Sequence, residues 1–592
     1  MTELPEPRIQ PLADAGILAT FGSAIDVALS QRISQLVARL ETMALPGITD
    51  LIPSYTTLTI LLDPRHADPV AIAQAVRDAW RMTSAVTAAT AEPREVVIPV
   101  VYGGEHGPDL ADVAAHTGLS VDEIVRRHAA GSYIVGALGF APGFAFLIGL
   151  PPELATPRRS TPRTRVPEGS VGIGGAQTGV YAQPTPGGWS LIGRTPLRLF
   201  RPEQEAPLLY TAGDTLRFQQ ITDGQYAEIL ATQAPPSVNE TIANSTFTVL
   251  TPGLQTTIQD LGRPGHGRVG VTPGGAVDRR SHIVANRLVG NADDAATLEL
   301  TLIGPRLRVE RSARIAIAGA DLGATLNGEH LRIDRVVTVH PGDELAFNPA
   351  RGSSRGARAY LAVAGGFDSP IVMGSRATDL TAAIGGIAGR ALQAGDQLAV
   401  GEPAANVVSD DTRVRTDLRL DRDEQIVRVV RGPQDDRFDE PAWNAFLHET
   451  FTVSSKSNRM GVRLDGPAVL PTGSADVISE GMVTGGIQIT TDGQPIVMLA
   501  GRATIGGYAK IATVITADHD RLAQMRPGTR LRFAEVTADE AFRLASEADT
   551  MPLTGTITLP DALRIAETLA AEPVSLVEID LPEAGFHLRI RR

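Results

Sequence analysis

The chain has 592 residues, of which 43% are hydrophobic and 20% charged, so it has room for three to five domains at roughly 100–200 residues each and is neither disordered nor fibrous. With 54 basic and 67 acidic residues the formal net charge is −13, the wrong sign for a protein whose main partner is a phosphate backbone. It has no cysteine, which excludes disulfides, thiolate metal sites, Fe–S clusters and cysteine nucleophiles.

In chain order, Ile25–Leu45 places Ile33, Leu36, Val37 and Leu40 at helical spacing, TTLTILLDP (56–64) alternates as a strand does, and Asp68–Trp80 reads as a second helix. These predict a small α+β domain over 1–95. A helical patch over Pro108–Ala129 contains Ser120 and Glu123 in the S-x-x-E spacing of a capping box. Beyond it, short apolar runs are punctuated by Gly and Pro. One phrase recurs: AGDTLRF (212–218), PGDELAF (341–347), AGDQLAV (394–400) and PGTRLRF (527–533). Each is a tight turn launching a strand, which predicts about three β-barrel-like units. The boundaries predicted are a barrel over 96–230, a linker over 231–246, a barrel over 247–402, a further domain over 403–545 and an appendage over 546–592. That appendage reads from about Thr554 as strand, helix (Pro560–Ala571), strand and strand.

Several glycine-rich loops carry chemistry-bearing residues. Gly139-Phe140-Ala141-Pro142-Gly143-Phe144 holds two aromatics on a turn that a ligand can approach; aromatic packing alone would also explain it. Arg158, Arg159, Arg163 and Arg165 sit on a proline-stiffened loop, and Gly188 and Arg194 follow on another glycine-rich turn. Guanidiniums there suit phosphate or carboxylate, or else form a solvated surface. Asp260, Arg263 and His266 bring a carboxylate, a guanidinium and an imidazole onto one loop, either as base and clamp or as a pair pinning the turn. Asn286 and Asn291 offer amides that donate and accept at once. Arg459 follows Ser457-Asn458, and Gly507-Tyr508 precede Lys510, one of only two lysines; the other is Lys456. Gly385, Gly386 and Gly389 lack the lysine of a P-loop, and no H-x-x-x-H, H-E-x-x-H or G-x-S-x-G motif occurs, so no metal site is expected. An N-terminus without a basic start or apolar core, and no apolar run near 20 residues, predict a cytoplasmic protein with no membrane partner.

YGGEHGPDL (102–110), GFAPGFAFL (139–147), PRRSTPRTRVPEGSVGI (157–173) and PTPGGWSLIGRTP (184–196) resemble allophanate hydrolase subunit 1, also called the B subunit of 5-oxoprolinase or the sporulation kinase inhibitor family. GLQTTIQDLGRPG (253–265), SNRMGVRLDG (457–466), SEGMVTGGIQITTDGQPIV (479–497) and GGYAKIATVI (506–515) resemble allophanate hydrolase subunit 2, also called the C subunit of 5-oxoprolinase. The chain thus resembles a fusion of the two. The resemblance implies a mainly β protein with α+β elements, with a cyclophilin-like β-barrel in each half. It implies either ATP-dependent opening of 5-oxoproline to glutamate with a separate third subunit, or transfer of a carboxyl group from biotin on a partner carrier to urea or a related amide. A kinase-inhibitor-type regulator is a third possibility. On the first reading ATP, with Mg, and the lactam bind between the halves of what is expected to be a homo-oligomer. Asp260, Arg263 and Lys510 are then catalytic. Phe140, Pro142, Gly143, Phe144, Arg163, Arg165, Gly188, Arg194, Asn286, Arg459, Gly507 and Tyr508 bind substrate or nucleotide. Asn458, where the family often has Asp, and ITTDG (489–493) depart from the pattern. Residues 554–592 resemble the region before a biotinyl domain, without its Met-Lys-Met.

Overall fold

A computed structural model describes residues 6–83, 94–233, 245–333, 335–348, 350, 352, 356–403, 423–550, 576–581 and 586–591, with the side chains described up to residue 547. The linker expected over 231–246 falls largely outside the described residues, as do residues 404–422, just after the boundary expected at 402, and the helix expected at 560–571. The helix Asp223–Thr232 precedes the first of these, and strands Leu576–Leu581 and Phe586–Arg591 pair antiparallel at the C-terminus.

The front of the chain is the expected α+β unit. Helix Val27–Met43 starts where Asp26 accepts the amide of Leu29, and helix Pro69–Met82 where Asp68 accepts those of Val70 and Ala71. Both satisfy amides that a helix start leaves open. Their apolar stripes, including Ile33, Leu36, Leu40, Val76 and Trp80, cover strands Ile48–Ser54 and Thr57–Leu62. The patch expected as one helix over 108–129 forms two, Leu110–Thr117 and Val121–Ala130, because Gly118 turns left-handed at φ 73° and Ser120 starts anew. Ser120 Oγ accepts the Glu123 amide at 3.2 Å, but the Glu123 carboxylate does not close the box. It pairs instead with Arg126 and Arg127, three and four residues on.

Two seven-stranded barrels follow the same plan. The first runs, by hydrogen-bonded neighbours, Glu95–Tyr102, Ser190–Arg194, Ser170–Gly174, Gln177–Val180, Ala145–Ile148, Ser132–Leu138 and Thr215–Gln220, which closes it in parallel with Glu95–Tyr102. The second runs Glu424–Arg431, Lys510–Val514, Gly486–Ile489, Pro495–Met498, Gly461–Asp465, Phe451–Val453 and Arg530–Glu535, again closing in parallel on its first strand. Each carries a side ribbon, Arg163–Val166 with Thr185–Gly187 and Asp476–Gly481 with Ile505–Tyr508. The turn 139–144 and the segment 454–460 therefore occupy equivalent positions. So do the segments leading to Ser190 and to Lys510.

Of the recurring phrases, AGDTLRF and PGTRLRF launch the closing strands of the two barrels. The other two launch Glu344–Phe347 and Gln397–Val400, which lie in a single seven-stranded sheet. That sheet and a five-stranded one make up the middle unit. They form a packed pair, with Leu298, Leu307, Leu345 and Leu361 in its core, where a third β-barrel-like unit was expected. Helix Arg279–Leu288 covers the outer face of the five-stranded sheet through Val284, Ala285 and Leu288.

The halves share their cores. Val269, Val271, Ala382 and Ile384 of the middle unit join the apolar core of the first barrel. Val483 and Ile505 of the second barrel join a cluster with Ile52, Tyr55, Phe144 and Trp189. At ~1.5–3 kcal/mol for each large apolar side chain removed from water, these six residues fix how the halves sit.

Candidate functional site

The turn Gly139–Phe144 lies where all three units meet. Phe140 and Gly143 have φ of 66° and 71°, in the left-handed region. The Gly143 amide donates to the Val269 carbonyl at 3.0 Å, and its own carbonyl accepts from the Tyr210 hydroxyl at 2.7 Å. Pro142 is buried, and Phe144 packs edge-on against Phe146, Tyr181 and Trp189, leaving Phe140 on the surface with 42% of its area exposed. Glycine is demanded on both sides of this joint. A Cβ on Gly139 would sit 2.5 Å from Ile505 Cγ1, and one on Gly270 (φ 82°) 2.8 Å from the Ala141 carbonyl oxygen.

Next to the joint, Asp260 follows strand Gln255–Gln259. One of its oxygens accepts from the Gly262 amide and the Ser375 hydroxyl, both at 2.7 Å, and the other from the Arg376 amide at 2.6 Å. Asp260 lines a cavity of about 250 Å³ with Asp294, Phe367, Ile371 and Arg376. Arg263 is buried; it donates to the carbonyls of Ala377 and, at 3.3 Å, Val372. Among the described residues its Nη1 has no hydrogen-bond partner, and neither does the buried Oδ2 of Asp379. Burial lowers the pKa of Arg263, with Asp379 and Asp260 opposing. His266 is half-buried and bonded to the Met373 backbone, and burial lowers its pKa too. All three members of the sequence motif therefore pin the loop around 372–377.

The other candidates each have a partner. Arg459 forms a buried ion pair with Glu299 and donates to the Gly275 carbonyl at 2.6 Å, bolting the second barrel to the middle unit. Asn286 is buried, donating to the Ala295 carbonyl at 2.7 Å and accepting from Asn291 at 3.0 Å, which shapes the loop beside the Asp260 cavity. Asp109, itself buried, holds Arg163 through two bonds of 2.9 and 2.7 Å and Arg159 through one of 3.0 Å, and accepts the Leu191 amide. The Gly188 carbonyl accepts the Arg159 amide at 2.7 Å, and Arg194 donates to the Glu168 carbonyl at 2.8 Å. Arg158 and Arg165 are exposed, with no ion-pair partner among the described residues. These arginine contacts all lie within the first half.

Lys510 opens a strand of the second barrel and is fully buried. Its ammonium pairs with Glu480, and its amide donates to Gln434 Oε1 at 3.0 Å. Gly507 and Tyr508 lie half-buried on the ribbon opposite Asp476–Gly481.

The structure therefore gathers the turn 139–144 with the loop 262–275, Arg459 and the loop 499–505 at one junction. The last contact in that chain is Thr272 Oγ1 donating to the Ala500 carbonyl at 2.9 Å. Arg163, Arg194 and Asn286 are not brought there, and Lys510 is fully buried behind its pair with Glu480. Sequence reasoning assigns no role to Asp50, Asp109, Gln434, Glu480 or Arg502. Asp109 and Glu480 sit inside YGGEHGPDL and SEGMVTGGIQITTDGQPIV and could have been read as partners for the nearby cations; Asp50 and Gln434 carry no local signal. Asp50, in the first half, accepts the Gly267 amide at 2.6 Å and that of Leu51 at 2.9 Å. Burial pushes its pKa up to about 6 despite these bonds and the charges of Arg502 and Arg268. Burial also lowers Arg502 to about 10. Among the described residues no His, Asp and Glu cluster could hold a metal ion.

Two family models match the chain: the carboxyltransferase domain, subdomains C and D, over residues 7–210, and the carboxyltransferase domain, subdomains A and B, over residues 269–535. The B subunit of 5-oxoprolinase from Bacillus subtilis is 42% identical over 228 residues, 37% of this chain and 95% of that protein. The C subunit of 5-oxoprolinase from Escherichia coli is 36% identical over 295 residues, 50% of this chain and 93% of that protein. Urea amidolyase of Lachancea kluyveri is 32% identical over 328 residues, 51% of this chain but 18% of that protein. The crystal structure of TTHA0988 superposes with a TM-score of 0.76 at 34% identity, covering 88% of this chain and 99% of that one. The chain belongs to the carboxyltransferase-domain family and carries the counterparts of the B and C subunits of 5-oxoprolinase in a single polypeptide.

Proposed function

We propose that the chain is the combined B and C component of an ATP-dependent 5-oxoprolinase, activating the lactam for hydrolysis by a separate third subunit. The observation that carries this reading is coverage. Each half accounts for nearly the whole of a 5-oxoprolinase subunit, whereas the urea amidolyase match takes in less than a fifth of that enzyme. The substrate site is the junction of the turn 139–144 with the loops around Arg263, Arg459 and Thr504. Phe140, exposed on the turn, faces the ligand; Asp260 and Arg263 hold the loop that orients it. Lys510, buried against Glu480, is the lysine charge we assign behind this site rather than in contact with the ligand.

ATP would contribute a transferable phosphoryl group. The donor set suits it in one place: Arg159 and Arg163 are tied off by Asp109, which leaves the planar forks of Arg158 and Arg165 free for phosphate oxygens. This reading also places the protein in the cytoplasm as a homo-oligomer with its seam at 231–246. No helix among the described residues is long and apolar enough to cross a membrane.

The test is reconstitution. The purified chain with the third subunit, ATP, Mg and 5-oxoproline should release glutamate, and Lys510→Ala should lower turnover about 100-fold or more, the scale for loss of one charge-stabilising donor. No turnover by the complete wild-type complex would overturn the assignment. The family description favours a second reading, transfer of a carboxyl group from a biotin carrier to urea or a related amide. Avidin-sensitive incorporation of bicarbonate, with no ATP-dependent release of glutamate, would select it.

A further inference from the structure

Lys510 is the sole buried lysine of the chain, and its ammonium is held by one carboxylate, that of Glu480. Gln434 bridges both residues: its Nε2 donates to Glu480 Oε1 at 2.8 Å, while its Oε1 accepts the Lys510 amide at 3.0 Å. A buried carboxylate is costly unless its remaining bonds are satisfied; Gln434 supplies one to Glu480 and ties the same cluster to the Lys510 backbone.

The two residues that hold Lys510 are themselves held by the front half of the chain. The Ser54 hydroxyl donates to the carbonyl of Ser479, directly before Glu480, at 2.6 Å. Gly481, directly after it, packs so closely on Thr59 that a Cβ would lie 2.4 Å from the Thr59 hydroxyl. Gln10 Nε2 donates at 3.2 Å to the carbonyl of Pro433, directly before Gln434. Three side chains from the front half thus grip the neighbours of both residues that fix the lysine of the rear half.

We propose that Glu480 and Gln434 are positioning residues for Lys510, and that the front half sets their positions through Gln10, Ser54 and Thr59. The halves would then be coupled through the charge of the site as well as joined by the chain. This deepens the function proposed above and rests on its reading of Lys510, but it is testable without turnover.

Because the chain has two lysines, one buried and one exposed, amine labelling of the full chain with a water-soluble acetylating ester gives an internal ratio by peptide mass spectrometry, with Lys456 as the reference. In the wild type Lys510 should label at least 100-fold more slowly than Lys456. Glu480→Gln, which keeps the shape and removes the charge, should raise the relative rate at Lys510 at least tenfold. Glu480→Asp should stay within threefold of wild type, and Ser54→Ala and Gln10→Ala should each raise the rate at least threefold with Lys456 unchanged. Lys510 labelling as fast as Lys456 in the wild type would overturn the proposal. So would a rate within twofold of wild type in both Glu480→Gln and Ser54→Ala. If Glu480→Gln does not fold, Gln434→Ala takes its place with the same thresholds.

In the reconstituted complex, Glu480→Gln should lower kcat at least tenfold with KM for 5-oxoproline within twofold. A fall in kcat/KM carried by KM alone would overturn the positioning role. Absence of turnover in the wild-type complex would strike the function and leave the labelling result standing.

Discussion

Arg459→Ala tests the bolt between the second barrel and the middle unit. Arg459 pairs with Glu299 and donates to the Gly275 carbonyl; once it is removed, Glu299 keeps the Tyr360 hydroxyl at 2.7 Å, the Val277 amide at 3.0 Å and Arg358 at 3.9 Å. Removing one partner of a buried pair costs about 3–5 kcal/mol. Because Arg358 still faces the carboxylate, the lower end applies. A loss of about 3 kcal/mol corresponds to a melting temperature about 6–12 °C lower for a unit of this size. The pH dependence identifies the seat of the effect. In the native pair burial raises Glu299, but Arg459, Arg358 and the two hydrogen bonds more than reverse it, so its pKa lies below the ordinary 4.5. Its contribution is then present above pH 4.5 and lost as pH falls through the lower folded value. Without Arg459 the strongest charge holding Glu299 down is gone, so its folded pKa rises and the stability it contributes above pH 4.5 shrinks. The deficit of the variant should therefore widen between pH 4.5 and pH 7 when followed by scanning fluorimetry at constant ionic strength. A deficit below about 0.5 kcal/mol, or one that is the same at both pH values, would show that Arg459 does not hold Glu299 in this way.

Gly270→Ala should loosen the joint between the halves, because it combines an unfavourable φ of 82° with a 2.8 Å approach to the Ala141 carbonyl. Such strain costs about 1–3 kcal/mol, and the check is faster proteolysis between the halves with each barrel intact. Asp50, raised from 3.8 to about 6, has a folded pKa above its unfolded one. Its contribution is full below pH 3.8 and lost as pH rises through 6, by about 3 kcal/mol in total. Asp50→Asn should flatten this part of the stability profile between pH 4 and pH 7, and a slope equal to wild type would count against it.

Much of the architecture was legible because it depends on local rules. The helices at 27–43 and 69–82 follow from apolar spacing and Asp caps, and the closing strands of both barrels from a turn phrase that recurs within the chain. That phrase could not tell a closed barrel from a two-sheet pack, since Glu344–Phe347 and Gln397–Val400 carry the same local pattern and differ only in which distant strand they meet. The junction was legible in its glycines and aromatics. Its charges were not, because pairing is a long-range property. Lys510 reads as available until Glu480, thirty residues away, is placed against it, and Arg459 until Glu299, 160 residues away, is. A guanidinium facing a substrate and one buried against a carboxylate have the same sequence signature.

Val483 and Ile505, contributed by the rear portion, complete apolar packing that begins in the front portion. Two separate polypeptides would have to find one another to bury that surface, and the yield of complete particles would follow their concentrations. On one ribosomal product the search becomes intramolecular, with an effective concentration on the order of millimolar for a short tether. Equal stoichiometry is then built into translation, and dilution no longer dissociates the working unit.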